Sequence, residues 1–203
     1  MRLGPIAEGL ALLGVTFALA YGLGISTLWL VLPVLWLSLR NRPLEAYGMA
    51  RGRPAGVAFH LIVCLAVFVP YMVGHYALAH LFWGARFEPT LPDGLPYLVF
   101  EQFVLIALPE EVFFRGYLQT QLDRASDRRW RLLGAEVGIG LPLAALLFGV
   151  CHILHGGPAR LVTAFPGLLY GWLRARTDNV WVPALYHAAS NVLMKFMIAS
   201  LVL

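Results

Sequence analysis

Apolar residues run almost unbroken along this chain, and short polar gaps separate the runs. No charged residue occurs from Gly9 to Leu39. A single membrane-crossing helix needs about 20 residues to span ~30 Å of hydrocarbon, so this run is too long for one. Gly22-Leu23-Gly24 is the natural fold-back, which predicts a hairpin of two short helices. A basic gap follows, with Arg40, Arg42, Arg51 and Arg53 interrupted by Pro43 and Pro54. A third helix is expected from about Val57 to Trp83, and a connection with no basic excess then reaches Pro96. The fourth helix starts near Tyr97 and runs through a polar patch to about Leu122. A second basic gap holds Arg124, Arg128, Arg129 and Arg131 against Asp123 and Asp127. A fifth helix is expected over about Leu132 to Leu154, kinked by Pro142 or with an interfacial first section that ends there. After His155-Gly156-Gly157-Pro158 a short sixth helix reaches Leu173. Arg174 and Arg176 mark the next turn, and a seventh helix runs from Val180 to the C-terminus.

Composition turns this pattern into a class. Hydrophobic residues make up 60% of the 203 and charged residues 13%, against about 25% charged in soluble domains; mean hydropathy is +0.73. The expectation is an all-α, polytopic transmembrane bundle of about seven (six to eight) spanning helices, in one membrane domain over 1–203. Disorder, collagen-like repeats and a disulfide scaffold are excluded, and the two cysteines, Cys64 and Cys151, form no CxxC motif. The net charge of +4 comes from arginines placed in the gaps, as the positive-inside rule produces. Membrane lipids are therefore the expected surroundings, and nucleic acid is not an expected partner. The 40–54, 123–131 and 174–178 gaps are assigned to the cytoplasm with the N-terminus, and the C-terminus to the outside. The N-terminal apolar run, with no A-x-A site before a polar mature chain, is read as a retained anchor. Of the 15 basic residues only Lys195 is a lysine, a usage that points to a high-GC prokaryote and hence a bacterial cytoplasmic (inner) membrane.

Ionisable groups inside apolar helices require a reason, because inserting each into a bilayer costs about 2.5–3.5 kcal/mol. The fourth helix carries Glu110 and Glu111 directly after Pro109, with Arg115 four residues beyond Glu111. That spacing lets Glu111 face Arg115 and turns Glu110 about 100° away, free for other work. One carboxylate would suffice for a packing ion pair. The fifth helix supplies Phe148 and His152 one turn apart, and the seventh supplies His187 and Asn191 with the same spacing. Three helices offering acid, imidazole and amide groups at membrane depth point to one water-containing cavity. A two-His, one-carboxylate metal site drawn from Glu110, Glu111, His152 and His187 is a rival arrangement, although no HExxH occurs.

The ordered set Glu110-Glu111-x-x-x-Arg115, Phe148-x-x-x-His152 and His187-x-x-x-Asn191 resembles the CAAX-protease and bacteriocin-processing (CPBP) family. Its members are glutamate-type intramembrane endopeptidases, among them the type II CAAX prenyl endopeptidases. The likeness covers about residues 97–197, a CPBP-like catalytic core; residues 1–96 match only as generic membrane helices. By that resemblance Glu110 is the general base and His152 helps to hold and activate water. His187 and Asn191 donate to the oxyanion, and Glu111 and Arg115 orient and charge-balance the site, with Phe148 supporting. It implies no metal and no cofactor. The partner is a protein or peptide substrate, with a C-terminal sorting tail or a lipid modification. Two other functions compete. One is a non-catalytic immunity or scaffold protein of the same fold. The other is a proton-coupled carrier, against which the absence of inverted halves argues.

Other polar and aromatic residues have plainer readings. His155 is expected at a helix end, and His60, His75 and His80 near the interfaces. Glu101 and Glu136 are expected near helix starts, and Lys195 snorkelling to the interface. The tryptophans, Trp29, Trp36, Trp83, Trp172 and Trp181 among them, are expected in an aromatic belt. One tension remains within this reading. A fifth helix beginning at Leu132 lifts His152 by ~30 Å, beyond the level of Glu110, unless its first part is interfacial.

Overall fold

Gly24 sits in the left-handed region at φ 68° and ends the first helix, so the chain turns back where the glycine pair foretold. The computed structural model describes residues 2–50 and 57–203; Arg51, Arg53 and Pro54 of the first basic gap lie outside the described residues. Among the described residues the fold is all-α with seven helices. They are α1 (Leu3–Leu23), α2 (Leu28–Leu39), α3 (Val57–Trp83), α4 (95–124), α5 (Gly140–Gly156), α6 (Ala164–Thr177) and α7 (Trp181–Ser200). Two small antiparallel strand pairs accompany them. Strand β1 (Arg86–Phe87) pairs with β4 (Leu201–Val202), and β2 (Arg129–Leu132) pairs with β3 (Ala135–Gly138).

Helix α4 is the central element and is not a regular α-helix. Two stretches, Glu101–Ala107 and Val112–Leu118, are wound as π-helix. There Leu108 N–H reaches back to Phe103 O and Gln119 N–H to Phe114 O; π turns of this kind often mark functional segments. Between them lies Pro109, which has no N–H to give the carbonyl one turn earlier. That carbonyl, Leu105 O, accepts instead from Ser26 Oγ at 2.6 Å, so the α1–α2 turn supplies the missing donor.

The fifth helix departs from expectation. Residues 129–138 form the β2–β3 hairpin, so α5 begins at Gly140 rather than at Leu132. Leu133 (φ 47°) and Gly134 (φ 76°) both take positive φ, the requirement of a tight two-residue hairpin turn. Pro142 then falls in the first turn of α5, where an N–H has no intrahelical partner to lose, and no kink results. Glu136 belongs to β3 and not to a helix start. The depth tension disappears as well, since His152 lies twelve residues beyond Gly140, a rise of ~18 Å.

Close approach fixes the register of α5 on α4. A Cβ on Gly140 would stand 2.2 Å from Gln119 O, and Phe148 meets Phe114 ring to edge at 5.0 Å. Counting on from these contacts along two antiparallel helices brings His152 to the level of Glu110. The core around α4 holds Leu37, Phe113, Phe114, Tyr117, Leu118 and Phe148, and a second cluster joins the hairpin and α6 through Ala135, Val137, Leu141, Tyr170 and Leu173. Trp29, 2% exposed, packs on Phe113 and Phe114, and Trp172, 3% exposed, is likewise internal. The belt expected of the tryptophans does not include these two.

The basic gaps gather at one end of the bundle. Val180 N–H bonds Gly48 O at 2.9 Å, Arg2 N–H bonds Ala125 O at 2.8 Å, and Trp172 Nε1 donates to Leu132 O at 3.0 Å. At this end Arg42 grips Glu8 with both terminal nitrogens, at 2.7 and 2.9 Å. The bond to Glu8 pushes the Arg42 guanidinium above its ordinary pKa. The opposite end holds the β1–β4 pair.

The expected six to eight spans are met in part. Among the described residues two helices, Leu3–Leu23 and Val57–Trp83, are long and apolar enough to cross a membrane by length and composition. Helices α2 and α6, with 12 and 14 residues, rise only ~18 and ~21 Å. Helix α4 has the length, but its polar patch dilutes it.

Candidate active site

The polar residues of α4 meet those of α7 inside the bundle. Glu111 and Arg115 face one another at i and i+4, as the spacing requires. Glu111 Oε2 lies 3.2 Å from Arg115 Nε, with both side chains fully buried. The other oxygen, Oε1, lies 2.9 Å from His187 Nδ1. Glu110, on the neighbouring face, brings Oε2 to 3.9 Å from His187 Nε2 and is itself 12% exposed. One imidazole therefore stands between two carboxylates that differ in access: Glu111 is sealed, and Glu110 is partly exposed although its Oε2, on the His187 side, is buried.

Aromatic rings complete the walls. The Arg115 guanidinium lies 4.6 Å from the Phe148 ring, 5.6 Å from Tyr170 and 5.7 Å from Phe114. Its three nitrogens have no hydrogen-bond partner among the described residues. Cation–π attraction thus supplements the Glu111 pairing. Phe148 also stands edge-on to His187 at 5.8 Å and against His152 at 4.4 Å. His152 is half-buried, and its Nδ1 lies 2.8 Å from Phe148 O one turn back. When Nδ1–H donates to that carbonyl the proton-free Nε2 is left to accept.

Of the residues singled out from sequence, Glu110, Glu111, Arg115, Phe148 and His187 are in mutual contact. His152 joins them through the Phe148 ring. Asn191 follows His187 by one turn of α7 and is half-buried.

Tyr170 was missed. It is 1% exposed and stacks on His187 at 4.7 Å with 15° between the planes. Its hydroxyl lies 2.5 Å from Ser190 Oγ, which donates to His187 O at 2.8 Å, so Tyr170 donates to Ser190. A signal existed in Gly167-x-x-x-Gly171, the small-residue spacing of closely packed helices. A Cβ on Gly167 would touch Ala145 at 3.4 Å and Arg115 Nη2 at 3.5 Å, which shows how closely α6 approaches the site.

Beside the site an apolar groove of about 760 Å³ opens between the first half of α4 and α7, lined by Leu95, Val99, Phe103, Leu185, Ala188 and Val192 among others. Ala188 and Val192 are next in chain to His187 and Asn191. Among the described residues no group of three His, Cys, Asp or Glu side chains is disposed to hold a metal ion. Chemically, the site offers a partly exposed carboxylate, an imidazole held by a second carboxylate and, one turn along α7, a half-buried amide, groups suited to water activation and charge stabilisation.

No curated protein and no solved structure matches the chain. A family model does: type II CAAX prenyl endopeptidase Rce1-like, over residues 92–193. The match covers half of the chain and every member of the site. With the glutamate pair, the two histidines and the asparagine all falling inside the matched region, the chain belongs to the Rce1-like CAAX protease family, and its activity is hydrolytic and protease-like.

Proposed function

We propose that this protein is an intramembrane endopeptidase that hydrolyses a peptide bond in a membrane-associated or lipid-modified protein or peptide, with Glu110 as the base that activates water. The observation that carries the reading is the pair of unlike carboxylates about His187, one sealed and one partly exposed. Glu110 takes the proton from water as that water attacks the scissile carbonyl, and returns it to the leaving amine. His152 holds the water through its free nitrogen. His187 Nε2–H and Asn191 Nδ2–H donate to the oxyanion of the tetrahedral intermediate. That role requires N–H on both ring nitrogens of His187, since Nδ1 already faces the Glu111 carboxylate. Glu111 and Arg115 orient the imidazole. The apolar groove gives the substrate's apolar part a place beside His187.

The setting proposed is the cytoplasmic membrane of a bacterium, with the short helices crossing as parts of the bundle. The outward faces support it: Ile62, Val73 and Leu81 of α3 are 63, 60 and 76% exposed. A lone soluble domain has no use for such a surface. Residues 97–197 then form the catalytic core within one membrane domain.

The test is cleavage of tailed or lipid-modified candidate substrates co-expressed in membranes, comparing the unsubstituted protein with Glu110→Gln. Product that resists a chelator and falls at least ~10²-fold in the variant is the expected result. Equal cleavage by a pure Glu110→Gln preparation overturns the mechanism. Cleavage that a chelator abolishes transfers the chemistry to a metal site.

A further inference from the structure

The β2–β3 hairpin presents an apolar tip where a polar one would be easier to build. Its turn residues, Leu133 at φ 47° and Gly134 at φ 76°, are both left-handed, and the first of these positions is ordinarily taken by Asn, Asp or Gly. A leucine held there is strained, and its side chain is 58% exposed. Trp130 and Leu132, one face of the outer strand by the two-residue repeat, are 50 and 47% exposed. Their cross-strand partners Val137 and Ala135 are buried against α6. The hairpin therefore turns one edge inward and offers a tryptophan and two leucines outward.

Charge and position specify what this edge meets. Arg128, Arg129 and Arg131 are exposed beside it, Arg131 with Glu136 as its exposed cross-strand neighbour. The nearest acid on the preceding turn, Asp127, is paired with Arg2 at 3.2 Å. The tip is clipped to α6 by Trp172 Nε1 on Leu132 O and Arg176 Nη1 on Leu133 O, each at 3.0 Å, and Arg176 and Trp172 in turn lie against Phe59 of α3. The outward edge thus stands at the foot of the exposed apolar face of α3. A tryptophan and aliphatic side chains flanked by arginines are the groups that favour a headgroup boundary.

We propose that the β2–β3 hairpin is an interfacial anchor: Trp130, Leu132 and Leu133 enter the boundary of an anionic lipid surface while Arg128 and Arg131 engage its headgroups. The proposal rests on the membrane reading of the helices and adds a lipid class and a contact site. It also gives the leucine in the turn a purpose.

The experiment uses the full chain reconstituted in vesicles of phosphatidylcholine, alone or with phosphatidylglycerol. A nitrobenzoxadiazole label is placed through Leu133→Cys, and through Leu65→Cys on α3 as the control. The Leu133 label is expected to be quenched by lipids carrying a doxyl group near the headgroup, and more strongly with phosphatidylglycerol. Arg128→Gln with Arg131→Gln is expected to remove the difference between the lipids. A second arm keeps Leu133 and reads Trp130, as the bromolipid quenching lost in Trp130→Phe. A Leu133 label reached only by aqueous iodide, or quenched equally in both lipids, overturns the proposal. A Leu65 label untouched by deep doxyl groups overturns the membrane reading beneath it.

Discussion

Glu111 Oε1 and His187 Nδ1 lie 2.9 Å apart while the other Glu111 oxygen faces Arg115, so one buried carboxylate fixes both a ring and a cation. Paired with Arg115 as an anion, Glu111 only accepts hydrogen bonds. The proton on that side of the imidazole therefore belongs to Nδ1, and Nε2 is turned toward Glu110. In the proposed mechanism Glu111 acts through His187 and is a positioning residue.

Replacing Glu111 with Gln keeps the shape and loses the charge. Its amide offers Nδ1 a donor as well as an acceptor, so the ring is no longer held in one orientation by an anionic acceptor. We expect kcat to fall ~10²–10⁴-fold, the range for general acid–base groups, with KM little changed. Glu111→Asp should recover part of the loss. The check is steady-state kinetics on one cleavable substrate, and unaltered kcat in Glu111→Gln would remove Glu111 from the mechanism.

Tyr170 separates stacking from hydrogen bonding. Tyr170→Phe retains the ring on His187 and loses the bond to Ser190, so stability should drop by about 1 kcal/mol with kcat nearly preserved. Tyr170→Ala removes the ring. Its stability loss should reach ~3–5 kcal/mol, with kcat lowered more than KM is raised. Thermal unfolding in detergent and initial rates read the two effects.

Glu8 collects five donated bonds, from Trp36 Nε1, both Arg42 nitrogens, Tyr117 OH and Gln121 Nε2. They join α1, α2 and the following loop to α4. Glu8→Ala strands those donors and is expected to cost about 2–3 kcal/mol, below the range for a sealed ion pair because Glu8 and Arg42 are 18 and 30% exposed. Glu8→Gln should cost less, since one acceptor oxygen remains. Unfolding midpoints of the two variants test the order.

Gly140 sets the α4–α5 contact. A methyl group there meets the Gln119 carbonyl oxygen at 2.2 Å, and backbone cannot yield as a side-chain end does. Gly140→Ala should destabilise by ~1–3 kcal/mol and lower the cleavage rate as Phe148 and His152 shift. Gly4→Ala, with nothing within 4 Å of the added carbon, should leave both unchanged.

Much of the fold is local and was legible as such. The glycine pair at 22–24 and the bounds of α3 follow from where apolar residues stop and backbone-permissive ones begin. Glu110, Glu111 and Arg115 were legible because a charge in an apolar helix needs a partner, and the i, i+4 spacing names one. Residues 132–138 misled because Leu132 and Leu133 read equally well as the first apolar turn of a helix. Their strand geometry depends on a left-handed leucine and on the α6 surface that takes Ala135 and Val137. Glu8 passed unnoticed beside an uncharged run, since its partners Tyr117 and Gln121 lie more than a hundred residues away.

Helix class, the order of the helices and the i, i+4 pairing of Glu111 with Arg115 were thus written in spacing along the chain, because helices and their i, i+4 neighbours are settled by nearby residues. The choice of Glu111 as the carboxylate that holds His187, the stacking of Tyr170 and the level at which His152 arrives were settled by packing between helices. Those relations rest on how closely Gly140 and Gly167 let backbones approach, a distance that no local pattern encodes.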